Sequence, residues 1–282
     1  MHEELLYIIG NCETPDFAGG RTPPVTFAIA YRLLLCEVIY MNDEHARLKQ
    51  TIRNSGNIVF FGGAGVSTES GIPDFRSEDG IYNIKYAYPP EMILSHSFFM
   101  RNTSEFYRFF RDKMLHPHAK PNKAHYALAQ LESQGKLKAV VTQNVDGLHH
   151  KAGSVNVLEL HGSCSRYYCL TCGMVYTADV VLESEDIPLC SCGGIIRPDV
   201  VLFEEALDQR VVEKSVSAIR RAEVLIVGGT SLNVYPAAGL VQDYNGNQLV
   251  LINKSETPFD RYANIVIRDS IGETLGAAVA AN

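Results

Sequence analysis

The chain has 282 residues, 46% of them hydrophobic, and a formal net charge of −7. That length and apolar fraction suit one large domain, or a large and a small one, around a substantial core. The acidic balance excludes the basic footprint of a nucleic-acid-binding protein and mildly favours basic partners such as lysine-rich protein segments.

The first forty residues differ from the rest. Thr14-Pro15, Gly19-Gly20 and Pro23-Pro24 break them into loop. The opening Met-His-Glu-Glu-Leu-Leu lacks the basic start and cleavage pattern of a secretory signal. The most apolar stretch, Val25 to Met41, is interrupted by Arg32 and Glu37 and is shorter than the ~20 residues of a spanning helix. Residues 1–40 are expected to be a dispensable extension, and the protein to be soluble and cytoplasmic with no membrane partner. Met41-Asn42-Asp43-Glu44 makes a fresh helix start, with an amphipathic helix running to about Asn54. The catalytic domain is therefore expected over residues 41–282.

From Asn57 the pattern alternates between strand and helix. Apolar runs at Ile58–Phe61, Lys138–Thr142, Asn156–Leu160, Val224–Val227, Gln248–Ile252 and Ile265–Ile267 predict six strands. Continuous runs separated by helical patterns indicate a parallel sheet covered on both faces, a doubly wound Rossmann-like α/β fold. Ligands of this class bind at the carboxyl ends of the strands. Two segments interrupt the alternation: 80–120, helical and rich in aromatics such as Phe98, Phe99, Phe106, Tyr107, Phe109 and Phe110, and 163–197, which holds two cysteine pairs. Both are read as insertions that form a smaller module.

The first strand runs into Gly62-Gly63-Ala64-Gly65, a turn whose amides can approach a phosphate at a helix N-terminus. Gly63 and Gly65 match the first two positions of the dehydrogenase fingerprint, but Thr68 stands at the third, which argues against a dehydrogenase. Cys169/Cys172 and Cys190/Cys192 are spaced as metal ligands rather than as a disulfide framework. Four thiolates make a closed tetrahedral zinc site, structural because no position stays open. Cys190-Ser191-Cys192 is one residue short of the commoner spacing, Gly193-Gly194 allow the bend it needs, and Cys164 lies near enough to substitute.

Four stretches carry a family resemblance. Gly65 to Ser77 (GVSTESGIPDFRS), Thr142 to His149 (TQNVDGLH), Leu160 to Ser163 (LHGS), and Gly229 to Leu232 with Tyr235 to Ala238 occur in the order of the sirtuins, NAD-dependent protein deacylases. The chain resembles a bacterial-type member of that family from Ile58 to Ile271. The resemblance implies that His161 is the catalytic base, and imidazole chemistry suits it to take a proton from a sugar hydroxyl near neutral pH. Asp146 would hold the nicotinamide carboxamide, Asn144 would order water and ribose, and Gln143 would touch the ribose. Val145 and Phe75 would surround nicotinamide, while Ala64, Thr68 and Arg76 would line the dinucleotide, Arg76 by pairing with phosphate. Thr230, Ser231, Asn253 and Ile271 would hold the adenosine half.

The segment Arg197 to Glu204 resembles the part that pairs with an acetyl-lysine peptide as an added strand, with Glu204 where many relatives have glycine. The implied reaction moves the acyl group of acyl-lysine to ADP-ribose, releasing nicotinamide. Tyr107 matches the tyrosine of family members that prefer acidic acyl groups, but Phe110 replaces their arginine, so neutral acetyl-lysine is the expected substrate; Arg108 and Arg111 are the cations a register shift would bring in. His116, His118, His125 and His149 are expected to be structural. Two rival functions are ADP-ribosyl transfer to protein and non-catalytic NAD- or zinc-dependent binding.

Overall fold

The computed structural model describes residues 44–75, 80–81 and 86–280. The extension 1–40, the helix start at Met41 and the expected phosphate ligand Arg76 lie outside the described residues. Residues 44–54 are helical, and Leu48 and Ile52, one turn apart, are buried. Strands β1 (Ile58–Gly62), β2 (Leu137–Thr142), β3 (Val157–Glu159), β7 (Val224–Gly228), β8 (Gln248–Ile252) and β9 (Ile265–Ile267) form one sheet in the order β3-β2-β1-β7-β8-β9. Every neighbouring pair in it is parallel. The six runs singled out in the sequence are these strands, with ends moved by a residue or two.

The alternation of side chains along β1 explains why its run is continuously apolar. Phe60 packs on one face with Leu48, Leu128 and Leu275. Val59 and Phe61 pack on the other with Ile219 and Leu240. The helices Lys123–Ser133 and Ile271–Val279 supply Leu128 and Leu275, and the helix Gln209–Arg221 supplies Ile219. From β1 the chain builds outward through β2 to β3, then returns to β7 on the other side of β1. The ends of β1, β2 and β7 therefore meet at a switch point, where a doubly wound sheet opens a crevice.

A second, antiparallel sheet has the order β5-β4-β6, with β4 at Gly162–Cys169, β5 at Val175–Thr177 and β6 at Ile196–Val200. Phe99 and Phe106, from the helices His96–Arg101 and Thr103–Lys113, meet edge to face with centroids 4.8 Å apart. With Tyr107 and Phe110 they share one core with Tyr167 and Ile196 of this sheet. The two interrupting segments thus bury their apolar surface against each other rather than on the large sheet. No helix among the described residues is long and apolar enough to cross a membrane.

Candidate active site

The glycine turn after β1 opens on two single 3-10 turns, Ala64–Val66 and Thr68–Ser70, rather than on the α-helix N-terminus expected of it. Gly71, at φ +81°, ends the second turn, and Pro73 follows without an N–H. The turn is held close to the loop after β7: Gly65 N donates to Gly229 O at 2.8 Å. A Cβ on Gly65 would lie 2.8 Å from Gly229 Cα, so only glycine permits this approach. Asn122, the N-cap of the helix Lys123–Ser133, braces the turn from below by donating to Val66 O at 2.8 Å.

These loops border a cavity of about 470 Å³ across the carboxyl ends of β1, β2, β7 and β8. Of the residues expected there, Ala64, Phe75, Gln143, Asn144, Val145, Asp146, His161, Thr230, Ser231 and Asn253 all line it. Thr68 and Ile271 are not among its walls. Thr68 Oγ1 donates to Gly65 O at 3.0 Å, and Ile271 is 4% exposed within the core.

His161 follows β3 and precedes Gly162, whose φ is +74°. A side chain at Gly162 would run into the Asp199 carbonyl. Glycine there lets the strand pass close to β6, and Val201 N donates to His161 O at 2.9 Å. His161 Nδ1 lies 2.9 Å from Gln143 O. A carbonyl only accepts, so Nδ1 carries the proton and Nε2 keeps its lone pair. Burial draws the imidazole below its ordinary pKa, against the opposing pull of the Gln143 carbonyl. The ring is thus a neutral base of fixed tautomer on the cavity wall.

Beside it runs a chain of side-chain hydrogen bonds. Asn144 Nδ2 donates to Ser67 Oγ at 3.1 Å, and Ser67 Oγ donates to Asp146 Oδ2 at 2.7 Å. The other carboxylate oxygen of Asp146 accepts from Leu148 N at 2.8 Å. Ser67 has no role in the sequence reading, although it stands within the glycine-turn motif. Its partner lies 79 residues away in the chain, and no local pattern announces that bond. Gln143 Nε2 donates to Thr230 Oγ1 at 3.2 Å, tying the β2 end to the β7 end.

The remaining histidines divide. His125 and His149 are buried with ring centroids 4.7 Å apart, and burial brings His149 down to about 3, so it stays neutral. His116, expected to be structural, lines the cavity with Lys113 and Met114. The expected acyl-choice pair does not: Tyr107 and Phe110 are fully buried, and Tyr107 Oη donates to Ile196 O. They belong to the core behind the wall because the aromatic face of their helix is what closes the smaller module. Arg108 pairs with Glu105, and Arg111 donates to Val181 O and Ser184 Oγ, so neither guanidinium turns into the cavity. The apolar wall is Phe75, Ile81, Leu94, Met114 and Val145.

Cys169, Cys172, Cys190 and Cys192 come together at one end of the second sheet, every sulfur within 4.8 Å of the others. The closest pairs are Cys169 with Cys192 at 3.5 Å and Cys172 with Cys190 at 3.6 Å. Four sulfurs in one cluster fit one tetrahedral, structural zinc ion. Cys164 is not among them; it is buried, and burial pushes its thiol far up, away from the thiolate a metal requires. The Cys190-Ser191-Cys192 spacing is accommodated by a tight turn in which Gly193, at φ +82°, donates its N–H to Cys190 O at 2.8 Å.

Residues 63–236 match the model of the Sir2 family. A relative from Clostridium acetobutylicum, named NAD-dependent protein deacetylase, is 57% identical over 241 residues, covering 84% of this chain and 98% of the relative. Among solved structures, one from work on the mechanism and regulation of Sir2 enzymes superposes with a TM-score of 0.76 at 40% identity, covering 84% of this chain and 96% of the other. A Sir2 variant with deacetylated p53 peptide and 3′-O-acetyl-ADP-ribose superposes with a TM-score of 0.75 at 42% identity, covering 83% and 96%.

Proposed function

The chain belongs to the Sir2 family and is an NAD-dependent protein deacetylase; from that premise we propose that His161 is its catalytic base and that Asn144 and Asp146 complete the reacting site. The observation that carries this reading is the tautomer of His161. With Nδ1 committed to Gln143 O, Nε2 is the basic atom at the cavity. A neutral imidazole there can take a proton from a ribose hydroxyl as the acetyl group passes from lysine to ADP-ribose.

Asp146, held by Ser67 and Leu148, presents a fixed carboxylate to the nicotinamide amide. Asn144, oriented by Ser67, orders water and ribose. Gln143 adds a contact on the ribose side. Phe75 and Val145 enclose nicotinamide and exclude water from the sugar once it leaves. Ala64 and Thr68 border the dinucleotide, Arg76 pairs with its phosphate, and Thr230, Ser231, Asn253 and Ile271 hold the adenosine half. NAD is consumed as a substrate.

The acetyl-lysine segment of a protein substrate would lie along Val201 to Glu204. Val201 to Glu204 continue from β6, which ends at Val200 on one edge of its sheet, and Val200 to Glu205 line the cavity. Residues 41–282 would be the catalytic domain and 1–40 a dispensable extension. A cytoplasmic location fits the five described cysteines, none of them in a disulfide, since disulfides are rare in that compartment. Membrane and nucleic acid are not partners in this reading.

The test is incubation with NAD and an acetyl-lysine peptide, followed by mass identification of products. Deacetylated peptide, nicotinamide and O-acetyl-ADP-ribose are expected. ADP-ribosylated protein in their place would favour the transferase alternative, and no turnover would leave a binding protein.

A further inference from the structure

Glu204 sits at the cavity rim with a backbone φ of +76°, in the region that glycine occupies freely and side chains with a Cβ avoid. Its carboxylate is pinned there. Ser97 N donates to one oxygen and Ser97 Oγ to the other, both at 2.9 Å. Ser95 Oγ accepts from Phe98 N in the same turn, so the carboxylate shares the capping of the helix His96–Arg101 with the N-cap serine. The result is a rigid, solvent-exposed carboxylate on the loop bordering the substrate groove, in a backbone conformation that a glycine would hold at no cost.

Among the described residues no cation meets it directly. Glu205, its neighbour, is paired with Arg197 at 2.8 Å and with His96 at 2.8 Å. Glu204 itself forms no ion pair among the described residues. The hydrogen bonds from Ser97 hold its carboxyl below the usual range, with smaller contributions from His96 and Arg101. Near neutral pH the rim therefore carries a fixed negative charge.

We propose that Glu204 is a specificity residue that selects acetyl-lysine segments carrying an arginine or a second lysine beside the acetylated position. This rests on the reading that the peptide lies along Val201 to Glu204. Backbone pairing carries little side-chain preference, so that preference has to come from the rim. A fixed carboxylate attracts a flanking cation and disfavours a flanking acid, and, being exposed, it does so in a salt-dependent way.

The test uses the full chain, NAD, and three versions of one acetyl-lysine peptide with arginine, alanine or glutamate two residues from the acetylated lysine. At low salt, kcat/KM for arginine over alanine should be roughly two- to fivefold, the range of an exposed charge pair. Glutamate should rank last, and the ratios should approach one at high salt. In Glu204→Gln the arginine preference should collapse. Glu204→Gly, which suits the observed φ, should collapse it as well if the Gln variant folds poorly. Glu213→Gln, on the exposed face of the helix Gln209–Arg221, removes one charge elsewhere and should keep the preference. A wild-type enzyme that deacetylates all three peptides equally would overturn the assignment while leaving the deacetylase reading intact. So would a preference that survives in both Glu204 variants. No turnover on any peptide would overturn the groove reading and this assignment together.

Discussion

Ser67 Oγ stands 2.7 Å from Asp146 Oδ2 and donates to it, joining the glycine turn after β1 to the loop after β2 on the cavity wall. The same hydroxyl accepts from Asn144, so one serine orients two of the polar groups assigned to NAD. Ser67→Ala removes both interactions without enlarging the core. Hydrogen bonds to a charged group contribute roughly 1.5–3 kcal/mol, so nicotinamide exchange should fall about 10- to 100-fold, and the melting temperature should fall as well because Ser67, which makes both bonds, is buried. Wild-type exchange in that variant would show that Asp146 holds its position without help.

His161→Ala should keep the fold and much of the NAD binding while turnover falls by about 10²–10⁴-fold, the usual contribution of a placed base. The pH profile gives an independent check. The base works unprotonated, so kcat/KM rises with pH through the pKa of His161 and levels off above it. Burial lowers that pKa, so the acid limb should lie below the ordinary imidazole value of about 6.5. A limb clearly above that value would assign it to another group.

One equivalent of zinc per chain is expected by metal analysis of protein purified without chelators. Cys169→Ala and Cys190→Ala should each release it, lower the melting temperature and abolish activity indirectly, because metal binding and folding of the smaller module are linked. Cys164→Ala should keep the zinc. Loss of metal from that variant alone would displace the ligand set built from the clustered sulfurs.

A chain beginning at Met41 should deacetylate with unchanged kcat and KM for NAD. The described helix over 44–54 and every cavity residue remain in it. Misfolding of the shortened protein, or a large rise in KM for NAD, would make residues 1–40 a working part.

Acetyl-lysine should exceed succinyl-lysine in kcat/KM on one peptide sequence. The wall formed by Phe75, Ile81, Leu94, Met114 and Val145 is apolar, and a carboxylate buried against it without a partner is strongly disfavoured. Lys113, the one lysine or arginine on the wall among the described residues, is paired with Asp112 at 3.1 Å. If succinyl-lysine is preferred, Lys113→Met should reverse the order.

Much of this was legible in the sequence because it is local. Six apolar runs bounded by turn residues predict six strands, since strand burial leaves a continuous hydrophobic pattern. Two close cysteine pairs announce a metal, although only the clustered sulfurs exclude Cys164 from the ligand set, and the motif around His161 points to its chemistry. What the tertiary structure decided are relationships between distant segments. The bond from Ser67 to Asp146, the commitment of His161 Nδ1 to Gln143 and the pinning of Glu204 by Ser97 each join residues brought together only by packing. The burial of Tyr107 and Phe110 is of the same kind. Their helix presents aromatic residues at helical spacing whichever wall they serve, and only the docking of that helix onto β4 and β6 determines that they fill the core behind the cavity. Periodicity records how much of a side chain is buried, and contact with a partner far along the chain records against what.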